Sequence, residues 1–192
     1  MTSLATETID PRVRRTQALL REALGQLMET RSFEDISVQD ITDRATINRV
    51  TFYDHYDDKH ALLECLVAYR FQELLGRRGV AFEGGCASAL GGLVLGLCDY
   101  LAEVPGLAKE GPGRIPPHLE SALISVVRNF VLQGVRQHPP AGSASPEMVA
   151  ATVSCALYGA AREWVVTPGR CPSEQVVGTI VALVAGVFPP AP

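Results

Sequence analysis

The stretch ITDRATINRVTFYDHYDDKHALLE, residues 41–64, decides how the chain folds. Asn48 is a natural cap for a helix beginning at Arg49. With about 100° of rotation per residue, Phe52 and Tyr56 then share one side. They are the large apolar anchors of the segment, so that side packs inward. Asp54 points the opposite way, with Val50 and Thr51 either side of it, and Tyr53 and His55 lie on the two flanks. This helix is expected from Arg49 to about Tyr56. Thr46-Ile47 make a tight turn before it. The turn follows a short helix in SVQDITDRA, where Ser37 is the N-cap and Asp40 stands in the capping-box position. Asp57-Asp58 break the chain ahead of a longer helix, KHALLECLVAYRFQELLGRRG, which Gly79 ends.

Upstream, DPRVRRTQALLREALGQLMET supplies another helix. Asp10 caps it, Pro11 suits its first turn, and Leu19, Leu20, Ala23, Leu24, Leu27 and Met28 recur at helical spacing. It is expected to stop near Arg31-Ser32, and residues 1–9 read as a flexible tail. Three helices with this turn make a helix-turn-helix, whose third helix has an inward aromatic edge and an outer face fit for a major groove. Thr51 offers a hydroxyl and a methyl, and Val50 an apolar contact for a thymine methyl. Tyr53 and His55 are placed to reach phosphates on opposite strands. Asp54 either accepts from a cytosine amino group or sits over the groove unpaired. Lys59 is positioned to neutralise a phosphate. Ser37 offers a hydroxyl and helix N-terminal N–H groups to another. Arg44, Asn48 and Arg49 complete the DNA-contact set, and Arg12, Arg14 and Arg15 form a basic arm.

RRTQALLREAL, SVQDITDRA and RVTFYDHYDDKHALLE together resemble the N-terminal DNA-binding domain of the TetR/AcrR family of bacterial transcriptional regulators, over roughly Arg14 to Leu63. The resemblance implies DNA-contacting positions at Thr51, Tyr53, His55 and Lys59. The chain departs from the family at Thr46 and Ser32, where glycine is common, and at Val50, where glycine or proline is frequent. Thr46 makes the turn at some strain if it needs positive φ.

After about residue 65 Gly, Ala, Val and Leu dominate. Leu90, Leu93, Val94, Leu97, Cys98 and Leu101 form one stripe, which Pro105 ends. GLAKEGPGRIPP reads as a loop and PPAGSAS as a linker. Pro117 opens a helix with Leu119, Leu123, Val126, Val127, Phe130 and Val131 inward. Ser145-Pro146-Glu147 start a helix to about Val166, and Ser173-Glu174 one that reaches Phe188. The fold class is all-α, with residues 10–58 the DNA-binding domain and 59–192 a helical ligand-binding and dimerisation domain.

The last two helices are apolar on nearly every side, and a second copy of the chain would cover what one chain cannot. A two-fold dimer through a four-helix bundle follows. Its interface is expected at Ala156, Gly159, Ala160, Val177, Ile180, Val181 and Val184. In the family the remaining helices surround a pocket for a small, often hydrophobic inducer, and Cys98, Tyr100, Asn129, Tyr158 and Arg162 are the candidates to line it. Trp164 reads as a core or interface anchor.

Bulk properties limit the alternatives. Net charge is −4 over 192 residues, against bulk polyanion binding though not against a few placed cations. Hydrophobic residues make up 47%, enough for a substantial core. Five cysteines (Cys65, Cys86, Cys98, Cys155 and Cys171) form no CxxC pair or zinc spacing, and each reads as a buried thiol. No apolar run is long enough to span a membrane, so a soluble, cytoplasmic protein without metal or cofactor is expected. Four scattered histidines, without HExxH or Glu-x-x-His, argue against an enzyme. The function expected is a dimeric repressor released from a near-palindromic DNA operator by a small, mostly hydrophobic ligand. Alternatives are action through a protein partner and activation.

Overall fold

The computed structural model describes residues 10–79, 87–104, 115–137 and 144–185, and all regular structure among them is helical. Helix α1 spans Pro11–Met28, with the Asp10 carboxylate accepting from the Arg12 N–H at 2.8 Å. It ends earlier than Arg31 because the N–H groups of Thr30 and Arg31 both turn back to the Leu27 carbonyl. Leu19, counted with the apolar stripe, is exposed, while Leu20, Ala23 and Leu24 are buried. Arg12, Arg14 and Arg15 belong to the start of α1, so the basic arm is helical and exposed. A single 3₁₀ turn, Phe33–Asp35, follows. No periodicity marks so short an element, and its one signal is the apolar Phe33 among polar neighbours.

Helix α2 is Val38–Ala45, and its Ser37–Asp40 capping box is formed in both directions. Thr46 closes it at φ 57°, ψ 44°, the left-handed conformation. Helix α3 is Arg49–Tyr53, shorter than expected. The Tyr56 N–H still donates to the Phe52 carbonyl at 2.9 Å, so the chain keeps curling and Tyr56 keeps its inward side. Helix α4 is Lys59–Arg77, and Gly79 follows it at φ 66°, where a side chain would be strained. Helices α5 (Ala87–Glu103), α6 (Pro117–Gln137), α7 (Pro146–Val166) and α8 (Ser173–Ala185) complete the order. Pro105, most of the loop before Ile115, residues 139–143 and Phe188 lie outside the described residues.

The chain divides into two compact units, up to Leu66 and from Val67 onward. The division falls inside α4 and not at residue 58, since the first turns of α4 carry the buried Leu62, Leu63 and Leu66 of the first unit. The core of that unit also holds Leu20, Leu24, Ile36, Ile41 and Phe52. In the second unit α7 packs on α6, α5 and α8, and α5 packs on α8. Leu93, Val94, Leu97, Cys98 and Leu101 form the buried stripe of α5, with Leu90 half-buried. A β-carbon at Gly96 would stand 2.8 Å from Phe71 Cζ, so glycine is what lets α5 approach that ring. The Arg78 guanidinium, just beyond α4, reaches Asp99 Oδ1 at 2.6 Å and Ser173 Oγ at 3.0 Å and also pairs with Glu174. Asp99 first, then Glu174, push the Arg78 pKa further up. Trp164 Nε1 donates to the Cys171 carbonyl at 2.9 Å, and the Arg170 guanidinium covers its ring, fastening the α7–α8 turn.

Not every cysteine is buried. Cys98 is, and burial first, then the Asp99 charge, push its thiol up to about 12. Cys155 and Cys171 are exposed, Cys65 is half-buried, and Cys86 lies outside the described residues. Among the described residues no helix is long and apolar enough to cross a membrane, and no group of three or more His, Cys, Asp or Glu could hold a metal ion.

Candidate nucleic-acid interface

The Asn48 side chain accepts from the Val50 N–H at 2.9 Å and starts α3. Phe52 is 0% exposed, and its ring meets those of Tyr53 and Tyr56. With this edge clamped inward, the opposite face is set by rotation alone. Val50 is 68% exposed, Asp54 is exposed, and Thr51 and His55 are half-buried on the way round. Tyr53 is 45% exposed. The Arg49 guanidinium lies 5.6 Å from its ring centroid and donates to its hydroxyl at 3.3 Å. One turn apart on the helix, the two form a cation–aromatic pair.

Two expected phosphate donors are already engaged. Ser37 donates its N–H to Asp40 Oδ2 at 2.8 Å, its hydroxyl donates to the same oxygen, and that hydroxyl accepts from the Asp40 N–H at 3.1 Å. These bonds to Ser37 first, then Arg31, hold the Asp40 carboxyl far below the usual carboxylate range. The free anion donors here are therefore α2 backbone N–H groups and not the Ser37 hydroxyl. Lys59 is turned inward as well. Its ammonium donates to the carbonyls of Phe33 (2.9 Å), Glu34 (3.1 Å) and Ile36 (2.8 Å), and it sits 4.7 Å from the Phe33 ring centroid. Three donors meet three acceptors, leaving charge but no hydrogen bond for a phosphate. A sequence shows a cation beside a predicted DNA face but not that a 3₁₀ turn nearby gathers three carbonyls around one point. Arg44 Nε donates to Gln26 Oε1 at 2.8 Å and is exposed. The sequence marks Tyr56 as an inward anchor and Cys65 as a buried thiol, but nothing in it joins the two to Arg21. The Tyr56 hydroxyl donates to Cys65 Sγ at 3.3 Å, and Arg21 approaches the same sulfur at 3.8 Å, tying α1 and α4 to the end of α3.

The profile of the bacterial regulatory proteins of the tetR family matches residues 20–66, the segment whose geometry has just been described. Residues 20–66 match the N-terminal domain of that family. A curated relative, the uncharacterised HTH-type transcriptional regulator YxbF of Bacillus subtilis, is 38% identical over 74 residues, 38% of this chain and 20% of that protein. The HTH-type dhaKLM operon transcriptional activator DhaS of Lactococcus lactis is 35% identical over 60 residues, 31% of this chain and 32% of its own length. The chain thus spans a fifth to a third of the curated relatives it matches, and those relatives are regulators, not enzymes. The solved structure of Thermus thermophilus FadR, a TetR-family transcriptional repressor in complex with lauroyl-CoA, superposes with a TM-score of 0.50 at 20% identity, covering 92% of this chain and 98% of that one. It has the same fold: an N-terminal helix-turn-helix and a C-terminal helical domain.

Beyond the TetR-family domain, the second unit sorts the remaining candidates. Cys98 and Tyr158 are buried and Tyr100 is half-buried. Burial first, then the Glu120 charge, push the Tyr158 hydroxyl up to about 12, and its buried oxygen has the Glu120 carboxylate near it but no acceptor in full hydrogen-bond geometry among the described residues. Burial also raises Tyr100. Asn129 and Arg162 do not line an interior. Both are exposed, because Asn129 faces away from the Val127–Val131 stripe and Arg162 leaves the helix beside the buried Ala161. Of the expected dimer residues, Ala156 and Gly159 are exposed and Ala160, Val177 and Val181 half-buried. Ile180 and Val184 are buried within the chain and serve its own core. Exposed instead along α8 are Gly178, Ala182 and Leu183, the last 72% exposed.

Proposed function

We propose that this chain is a homodimeric, DNA-binding transcriptional regulator, a repressor that a small, mostly hydrophobic ligand releases from a near-palindromic operator. The observation that carries the reading is the α3 surface: an aromatic edge fully buried, with Val50, Tyr53 and Asp54 exposed on the other side. That is the shape a major-groove helix needs. Thr51, His55, Asn48, Arg49 and Arg44 complete the contact set, with the α2 N-terminus for phosphate and Ser37 and Lys59 holding the frame.

Dimerisation through α7 and α8 is supported by a face of small residues, Ala156, Gly159, Gly178 and Ala182, beside the exposed Leu183. Ligand binding near Cys98, Tyr100 and Tyr158 is supported by a thiol and two phenols that burial keeps protonated among apolar side chains. A ligand shifts the protein only by binding its two states unequally. Helix α4 is the lever, because Lys59–Leu66 belong to the first unit and Val67–Arg77 to the second. Arg78 ties the far end of that lever to α5 and α8. A lipid-like effector is in keeping with the lauroyl-CoA bound by the Thermus repressor.

Activation is the second reading, favoured by the activator named among the relatives. The test is selection of bound duplexes from a random-sequence pool by the full chain, followed by a reporter carrying the selected site. Enrichment of a two-fold symmetric site that binds two chains, with reporter output rising on loss of the protein, is expected. A pool with no enriched sequence overturns DNA-binding regulation, and output falling on loss of the protein selects activation.

A further inference from the structure

Resting on the DNA-binding reading, we infer that Val50 and Asp54 together are the base-reading centre of α3, selecting a C5-methyl pyrimidine at one position of each half-site and a neighbouring base with an amine in the major groove, foremost cytosine. The argument begins from rotation. With Phe52 inward, Val50 lies about 160° round the helix from it and Asp54 about 200°. These two, four residues apart, bracket the point directly opposite the core, and both are exposed. Arg49 and Tyr53 sit to one side, occupied with each other. Thr51 and His55 sit to the other, half-buried.

The chemistry at that centre is narrow. Val50 has no polar atom and presents only methyl groups, whose match in the major groove is the methyl of thymine. Asp54, ionised, only accepts. It can take a hydrogen bond from the N4 amine of cytosine or the N6 amine of adenine, but it meets guanine O6 and N7 with like charge. Its carboxylate also stands among phosphates, so it lowers affinity for every duplex except one that places an amine donor within its reach. Val50 therefore adds attraction at one position, and Asp54 gains its discrimination by rejection at the next.

The test uses the full-length protein and the duplex enriched from the random pool, with each thymine replaced in turn by deoxyuridine, which removes the methyl alone. One position per half-site should lose about fourfold in affinity, the worth of one methyl taken from water. In Val50→Ala the same replacement should cost less than twofold. Val50 is exposed and alanine favours helix, so this variant folds. Asp54→Asn should bind unselected duplex more tightly than the parent and discriminate less against guanine at the neighbouring position. Preference for adenine over cytosine there would assign the amine to N6. Deoxyuridine silent at every position, or an equal loss in parent and Val50→Ala, overturns the valine assignment. Unchanged discrimination in Asp54→Asn overturns the carboxylate's. Failure to enrich any duplex removes the DNA-binding reading and this inference with it, an outcome distinct from a bound operator that is blind to methyl removal.

Discussion

Replacing Thr46 with glycine should stabilise the first unit, although glycine on a protein surface ordinarily destabilises. Thr46 sits at φ 57°, ψ 44° and is the sole non-glycine residue of positive φ among the described residues. A left-handed conformation costs an L-residue about 1–2 kcal/mol, and a β-branched side chain lies at the unfavourable end. Glycine removes that strain but gives the unfolded chain about 0.4–1 kcal/mol of extra entropy. The Thr46 side chain is exposed, so little packing is lost. The balance is a gain of about 1–1.6 kcal/mol. With a urea m-value of about 2 kcal/mol/M, the midpoint rises by roughly 0.5–0.8 M. Native-state hydrogen exchange at α2 and α3 amides is the suitable readout, because the one tryptophan, Trp164, reports on the second unit. Ser32→Gly is the matched control. Ser32 has φ −65°, and its hydroxyl bonds the Glu34 carboxylate, so glycine there relieves no strain and should destabilise by about 0.5–1 kcal/mol. Two glycine substitutions of equal sign would refute the strain argument.

Lys59→Ala should destabilise the first unit by about 2–3 kcal/mol through three lost charge-assisted bonds, read by the same exchange measurement; a fully stable variant with weakened DNA binding would return Lys59 to direct phosphate contact. Asp40, whose folded pKa is depressed by Ser37 and Arg31, contributes stability above its ordinary value of 3.8, lost as pH falls through the folded value; acid titration of Asp40→Asn should lack that component of the fall, and a curve parallel to the parent's would refute it. Native thiol labelling at pH 8 should spare Cys98 and modify Cys171 at any protein concentration, while Cys155, exposed on α7 beside Ala156, becomes protected as the concentration rises; concentration-independent Cys155 labelling counts against the α7–α8 dimer. Gly96→Ala should cost about 1–3 kcal/mol by forcing a methyl against Phe71, which Phe71→Leu in the same chain should partly restore.

What could be read from the sequence was whatever local chemistry decides. The Asp10, Ser37, Asn48 and Ser145 caps each form where a short polar side chain precedes a periodic apolar run. The inward aromatic edge of α3 followed from spacing alone. The structure departs from the sequence expectation where tertiary partners decide. Lys59 and Ser37 looked like phosphate donors because an unpaired sequence shows their donors and hides their acceptors. Ile180 and Val184 looked like interface because an apolar helix does not say whether its own chain or a copy covers each side. Asn129 and Arg162 were placed inside by their position within apolar runs, although a helix that is mostly buried still keeps one outward stripe.

The inward use of Lys59 and Ser37 also bears on how any α3 variant must be interpreted. Five residues are too few for a helix to hold itself, since nucleation costs more than so few internal bonds return. Helix α3 exists because Asn48 caps it, Phe52 and Tyr56 anchor it, and the Thr46 turn and the Lys59-held segment fix the α2 end against it. Loosening any of these will weaken DNA binding without touching a DNA-facing atom. Variants at Val50 and Asp54 differ in kind: their side chains are exposed, so they change binding at constant stability. Measuring stability and affinity on the same variant therefore separates the frame from the reading surface. The two groups should fall apart without overlap if Phe52 is the hinge between them.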